Sequence, residues 1–207
     1  PSRTMIRPVR PGPIIKAFFP DVVWRMDPNR RELFLTFDDG PNPETTPAIL
    51  DILDAEKVSA TFFCIGRNCE KHPQLFQRIL ESGHGVGNHT YDHLNGWKTD
   101  KETYLKDVQK AAEIIPGNLF RPPYGRISPG QARALKKNFS IVMWDVLSWD
   151  FDRSLSPATC IRKTLGNIRA GSIITLHDSS KAKERTLPLL KAIIAFAGEK
   201  GYSFQKL

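Results

Sequence analysis

Residues 33–40 read LFLTFDDG: an apolar run from Leu33 to Phe37, broken only by Thr36, feeds straight into Asp38, Asp39 and Gly40. A run without polar alternation is what a strand covered on both faces requires, and an acid pair followed by glycine reads as the loop it enters. The unit recurs along the chain. Residues 46–56 carry Ile49, Leu50, Ile52 and Leu53 at helical spacing, 60–65 are a second apolar strand, and 73–81 put Leu75, Phe76, Ile79 and Leu80 on one helical face. Further strands are expected over 83–88, 119–121, 140–146, 171–176 and 202–205. Helices are expected over 101–115, 129–137, 157–167 (Ser156 as N-cap, Pro157 at the first position) and 184–198. Strand, loop and helix thus repeat about seven times, the pattern of a parallel sheet. An open doubly wound sheet and a closed barrel both fit. No GxGxxG follows the first strand, which weighs against dinucleotide binding, and a barrel of seven or eight strands is preferred. Residues 1–32, punctuated by Pro1, Pro8, Pro11, Pro13, Pro20 and Pro28, read as an irregular extension packed on the domain, with one short strand near Val22–Trp24.

Composition narrows the class. With 207 residues, 40% apolar and 25% charged, the chain suits one globular domain, and no apolar run approaches the roughly 20 residues a bilayer span needs. It begins at Pro1 with no leader and reads as a processed or trimmed product, so its targeting is not written here. The net charge of +8 fits either a merely basic surface or attraction to an acidic polymer. Nucleic acid is disfavoured, because basic residues are scattered apart from Arg30-Arg31 and 181–185 and no zinc-finger or RNA-binding signature is present. Cys64 lies in an apolar strand and reads as a buried small hydrophobe, while Cys69 and Cys160 are left open between pairing and free thiols.

In a parallel barrel, residues just after each strand converge on one rim. Here they are Asp38 and Asp39, Asn88, His89 and His93, Arg121 and Tyr124, Asp145 and Asp150, then His177 and Asp178. His89 and His93 are spaced i, i+4, which puts both imidazoles on one face of a helical turn. Two neutral imidazoles and one carboxylate form a three-ligand divalent-metal site with positions left open, the arrangement of catalytic zinc. Asp38 and Asp39 leave the strand in different directions. Asp39 then joins the two histidines as a ligand, with the ion offsetting the repulsion between neighbouring carboxylates, and Asp38 has the placement of a general base toward water at the ion.

The strings TFDDG (36–40), HTYDH (89–93), RPPY (121–124) and LH (176–177), in this order, resemble the successive motifs of the polysaccharide deacetylases, carbohydrate esterase family 4, also called the NodB homology domain. The resemblance runs over about residues 33–207. It implies an α/β fold, a distorted (β/α) barrel with about seven strand–helix units, and removal of acetyl groups from N-acetylated sugars of a peptidoglycan or chitin-type polysaccharide. It also implies Asp38 as catalytic base, Asp39, His89 and His93 as metal ligands, and Arg121 as the residue that orients the base. Tyr124 is implied as an oxyanion donor through its backbone N–H, His177 as general acid, Asp150 as its tethering carboxylate, and Leu176 as a wall of the acetyl pocket. The family's fourth motif, Asp-x-x-Asp-Trp, is only partly kept: Leu147 and Phe151 replace its first and last residues, which leaves Asp145 as a competitor of Asp150 and Trp149 or Trp144 as candidates for the missing aromatic.

The ion expected is a single divalent metal, zinc first, with cobalt, nickel or manganese also accommodated by such a donor set. Trp97, in the loop after the histidines, is a candidate to stack on a sugar ring, and Trp149 a second wall residue. Action outside the cytoplasm, in the envelope or secreted, follows from that substrate, and a monomer is the assembly expected. An O-acetyl xylan esterase using the same site, and a binding barrel that has lost catalysis, are the alternatives.

Overall fold

The structure, a computed structural model, describes residues 7–207. A short helix α1 (Pro13–Phe18) precedes β1 (Glu32–Asp38), α2 (Thr46–Glu56), β2 (Thr61–Cys64), α3 (Gly66–Lys71), α4 (Pro73–Glu81) and β3 (Gly85–Asn88). There follow α5 (Lys101–Ala112), β4 (Leu119–Phe120), α6 (Pro129–Leu135), β5 (Ser140–Ile141), β6 (Val146–Leu147), α7 (Pro157–Leu165), β7 (Ile173–His177), α8 (Lys183–Lys200) and β8 (Ser203–Phe204). The sheet runs β5-β4-β3-β2-β1-β7-β6, with β8 beside the start of β1, and its strand pairs are parallel. This is the expected α/β distorted barrel.

The period-2 geometry of β1 assigns its residues to two layers. Leu33, Leu35 and Phe37 face the helices and pack with Ile49, Leu50 and Leu53 of α2 and Leu189, Leu190 and Ile193 of α8. Burying each such side chain contributes about 1.5–3 kcal/mol. The alternate residues look into the barrel. Phe34 meets Phe63, Val142 and Ile173 at one level, while Thr36 and Asp38 above it reach Arg121. One strand therefore carries the hydrophobic anchor and the polar interior on opposite faces, and its last residue is delivered to the rim.

The single strand expected over 140–146 is broken. Residues 140–141 pair with β4, whereas 146–147 pair with β7. The segment between them crosses the gap where the barrel closes. Its amides are taken in turn by Phe120 O for Val142, Val23 O for Met143 and Ile173 O for Asp145. A continuous apolar string cannot announce a change of partner, which is why the sequence reads as one strand. The extension helps close this seam. The strand expected near Val22–Trp24 amounts to bridges at Val23 (to Val142) and Arg25 (to Ser172), and further upstream Leu147 N–H donates to Val9 O at 2.8 Å. The extension is also less irregular than its prolines suggest, since α1 starts with Pro13 in its first turn. Helix α3, GRNCEK, carries no apolar period and was not anticipated.

Candidate active site and metal centre

Asp38 closes β1 and is 4% exposed. Asp39 follows with φ 81°, a left-handed turn that sends its carboxylate away from that of Asp38. The next residue must be glycine: a Cβ on Gly40 would sit 2.3 Å from Asp178 Oδ2. Asn68 Nδ2, from the unanticipated α3, donates to Asp39 O at 2.9 Å and ties the turn down.

The histidines do not share a helical turn, contrary to the spacing argument. Residues 89–93 form a loop with left-handed Thr90 (φ 62°) and His93 (φ 57°). Asn88 shapes it: its side-chain Oδ1 accepts Thr90 N–H and its Nδ2 donates to Val108 O. His89 Nδ1 lies 2.7 Å from Arg121 O, an acceptor only, so the ring carries its proton there and presents Nε2 as a lone pair. His89 Nε2 and His93 Nε2 then stand 3.7 and 3.1 Å from Asp39 Oδ1. One ligand atom from each of the three residues lies within 4.8 Å of the others.

The electrostatics suit that donor set. Burial pushes the Asp39 carboxyl up, but the His93 hydrogen bond and the charges of His177, His89 and His93 outweigh it and hold Asp39 below its ordinary range. Burial takes His89 down to about 4, only partly opposed by Asp38, so the imidazole is neutral near pH 7. An ionised carboxylate and a neutral ring in a fixed tautomer are the forms that bind a divalent cation, and the residues present fit such an ion.

Asp38 has a different neighbour. Arg121, fully buried, donates from Nη1 to Asp38 Oδ1 at 2.7 Å and to Thr36 Oγ1 at 2.8 Å. Its Nε and Nη2 donate to Val142 O and Met143 O, in the seam where the ladder is broken. Its guanidinium lies 4.0 Å over the Phe63 ring. One side chain therefore aims the candidate base and satisfies carbonyls of the closing segment.

On the opposite wall, His177 ends β7. Its Nδ1 is 2.7 Å from Asp150 Oδ1, and Asp150 Oδ2 accepts His177 N–H at 2.8 Å and Thr186 Oγ1–H at 2.7 Å. Burial lowers the imidazole, but the Asp150 charge and hydrogen bond override it and raise His177 to about 9. Asp145, the competitor for His177, is elsewhere: its carboxylate takes Arg169 and Ser172. A cavity of about 290 Å³ opens between the walls, lined by Asp38, Asp39, His89, His93 and His177 and by the aromatic residues Tyr124, Trp144, Trp149 and Phe151.

Residues 25–140 match the model of the family described as polysaccharide deacetylase. The chain belongs to that family. Among its relatives is a peptidoglycan-N-acetylglucosamine deacetylase of Bacillus cereus, 40% identical over 178 residues, spanning 79% of this chain and 64% of that protein. A chitooligosaccharide deacetylase of Azorhizobium caulinodans is 33% identical over 204 residues, 88% of this chain and 96% of that one. The chain spans 33% of the length of another relative, the peptidoglycan-N-acetylmuramic acid deacetylase PdaC of Bacillus subtilis. Among solved structures, the Bc1960 peptidoglycan N-acetylglucosamine deacetylase superposes with TM-score 0.87 at 35% identity, covering 95% of this chain and 94% of that one. A mutant of BA3943, a CE4 family pseudoenzyme with restored activity, superposes at 0.78 with 27% identity, covering 89% of this chain and 68% of that one.

One residue expected at the deacetylase-family pocket sits elsewhere. Leu176 is in the helix-facing core, because its position on β7 alternates away from the lumen, and Leu147 lines the cavity instead. Trp97 is 65% exposed outside the cavity lining, its Nε1 donating to Ile127 O. Tyr124 lines the mouth with φ 60°, its ring 4.7 Å from that of His93. Trp149 does stand in the wall, 5.3 Å from Phe151, which in turn packs edge-on 4.6 Å from His177. Trp144, the other aromatic candidate of the fourth-motif region, also lines the cavity, whereas Arg126 and Lys181, which line it too, and Thr186, which holds Asp150, were missed altogether. Position after a strand could have flagged Arg126 and Lys181. Thr186 lies inside a helix and gives no local signal. Cys64, Cys69 and Cys160 are free and buried, which settles the open thiol question.

Proposed function

We propose that this chain hydrolyses acetamide groups on N-acetylated sugars of a polysaccharide, releasing acetate and a free amino sugar. The observation that carries this reading is the pairing of two units across one cavity: Asp38 on Arg121 beside the Asp39–His89–His93 triad, and His177 on Asp150 facing them. The catalytic unit is assigned to residues 33–207, with 1–32 as a packed extension, of which residues 1–6 lie outside the described residues.

Asp39, His89 and His93 would hold one divalent ion, zinc first, which when bound would supply Lewis acidity to the acetyl carbonyl and the attacking water. Asp38, aimed by Arg121, accepts the proton of that water as its oxygen attacks the carbonyl carbon. The Tyr124 backbone N–H donates to the oxyanion that develops. His177, protonated and tethered by Asp150, delivers a proton to the departing nitrogen as the C–N bond breaks. Trp149 and Phe151 wall the side from which the amine leaves, and Leu147 receives the acetyl methyl.

Peptidoglycan or chitin-type glycans are the substrate class, and such substrates put the protein's work outside the cytoplasm; a monomer is the assembly proposed. No helix of the described residues is long and apolar enough to cross a membrane. An ester-cleaving variant of the reaction is kept in view by the likeness to a Xyl-CE4 domain from a multidomain xylanase, TM-score 0.75 at 28% identity. Acetate release should be measured on peptidoglycan glycan strands, N-acetylglucosamine oligomers and acetylxylan, with zinc and with a chelator. Chelator-sensitive release from the N-acetylated substrates is expected. Release from acetylxylan alone would move the assignment to the ester, and release from none would leave a binding barrel.

A further inference from the structure

Two cations line the cavity and have no part in the reaction just described: Arg126 and Lys181. They approach from opposite sides. Arg126 follows Tyr124 in the loop after β4, and Lys181 lies between β7 and α8, with the β5–β6 closing segment between the two loops. Both side chains are exposed. Each is stationed over an aromatic ring: Arg126 Cζ is 5.2 Å from the Trp97 ring centroid and Lys181 Nζ is 5.9 Å from that of Phe151. A ring under a cation holds it in place without neutralising it.

Their charges are also unspent. Arg67 is paired with Asp92 and Arg121 with Asp38, whereas the neighbour of the Arg126 guanidinium is the Trp97 ring. The carboxylate near Lys181 is Asp39 Oδ2 at 4.0 Å, and Asp39 is committed to the ligand triad. Isolated surface cations in a chain of net charge +8 are commonly no more than a solvated face. Two that flank the reacting centre, each beside a ring suited to a sugar face, form a pattern with a use. A sugar over the catalytic groups would have its neighbours in the strand at these two ring-and-cation platforms.

We infer that Arg126 and Lys181 select an acidic glycan, in which the sugar that loses its acetyl group is flanked by sugars bearing carboxylate substituents. This rests on the deacetylase reading and narrows its substrate. A peptidoglycan strand whose lactyl groups are free of peptide, so that every second sugar carries a carboxylate, satisfies both platforms at once. A chitin-type strand, neutral throughout, satisfies neither cation.

The test uses the full chain with zinc added and three oligosaccharides of equal length: muramic-acid-containing strands with free carboxylates, the same strands with the carboxylates methyl-esterified, and an N-acetylglucosamine oligomer. Acetate release gives kcat/KM, and calorimetric titration gives Kd without need of turnover. The free-acid strand is expected to be favoured over its ester about tenfold in both quantities, the sum of two partly screened contacts. The preference should shrink as salt rises. In the double variant R126Q/K181Q the ratio should fall to about one, and R126K/K181R should restore it. A wild-type ratio near one, or a ratio that R126Q/K181Q leaves intact, overturns the inference. Should no strand release acetate, the deacetylase reading fails, while the ratio of Kd values still decides whether the two cations read carboxylates.

Discussion

The two walls of the cavity are built on different principles. The β1 and β3 wall is local: Asp38 and Asp39 are adjacent, His89 and His93 are four apart, and the loops that aim them are tied by near neighbours such as Asn88 to Thr90. The wall carrying His177 is assembled from afar. Asp150 reaches His177 across 27 residues of chain and Thr186 across 36. Trp149 donates from its indole N–H to Pro8 O, 141 positions upstream. A local wall can be carried by short motifs. A distributed wall depends on the whole barrel being closed, including its extension, so damage to the two should read out differently.

The sharpest contrast comes from Asp38→Asn. On the local wall the proposed base is removed while Asp39, His89 and His93 remain, so zinc binding by titration should persist and kcat should drop by about 10³-fold. Turnover within a few-fold of wild type would remove Asp38 from the role of base. Arg121→Met blurs the comparison on purpose, because Arg121 serves both walls. It leaves buried Asp38 without its cation and the Val142 and Met143 carbonyls without their donor. Breaking such a buried pair costs about 3–5 kcal/mol, or roughly 10 °C in Tm for a chain this size. A Tm within two degrees of wild type would mean that the seam is closed by other bonds.

Asp150→Asn attacks the distributed wall alone. His177 must be protonated to donate, and its position at about 9, above the ordinary value near 6.5, keeps it so at neutral pH. Activity should therefore decline as pH rises through about 9. In the variant that limb should move down toward the ordinary histidine value, with kcat near neutrality lower by about 10²-fold and zinc affinity unchanged. The stability linked to His177 has the same sign: it is fully present below about 6.5 and is lost as pH rises through about 9. A basic limb that stays at its wild-type position in Asp150→Asn would mean that another group sets it.

The same contrast explains what was legible in the sequence. Unbroken apolar runs such as 33–37 and helical periods such as 46–56 reveal the barrel because each is written in consecutive residues. The grouping of Asp39, His89 and His93 was legible, although a loop with two left-handed residues, and no helical turn, brings the imidazoles together. The fourth-motif region was illegible for a physical reason. Which of Asp145 and Asp150 meets His177 depends on where the closing segment changes partner, and nothing in a run of apolar residues records that. Leu176 was expected in the pocket only from the family resemblance, and its register on β7 turns it to the helix layer instead, while Thr186 was invisible because its partner lies in another element.

The smallest effect is the most specific to the distributed wall. Arg7 donates from Nε to Asp152 Oδ2 at 2.6 Å and from Nη2 to Ser154 Oγ at 2.7 Å, pinning the end of the loop that holds Trp149 and Asp150. The Asp152 carboxyl sits down at about 2, held chiefly by Ser154 with Arg7 contributing, so Arg7→Ala leaves a partner in place. The pair is partly solvated, at 17% and 18% side-chain exposure, and its loss should cost no more than about 1 kcal/mol, or about 2–4 °C in Tm. A contact that merely fastened the extension would change Tm alone. A contact that positions the wall should also lower kcat/KM several-fold while zinc affinity holds, because the triad hangs on different bonds. If zinc affinity weakens in step with kcat/KM, the two walls are coupled and their separation as structural units is wrong.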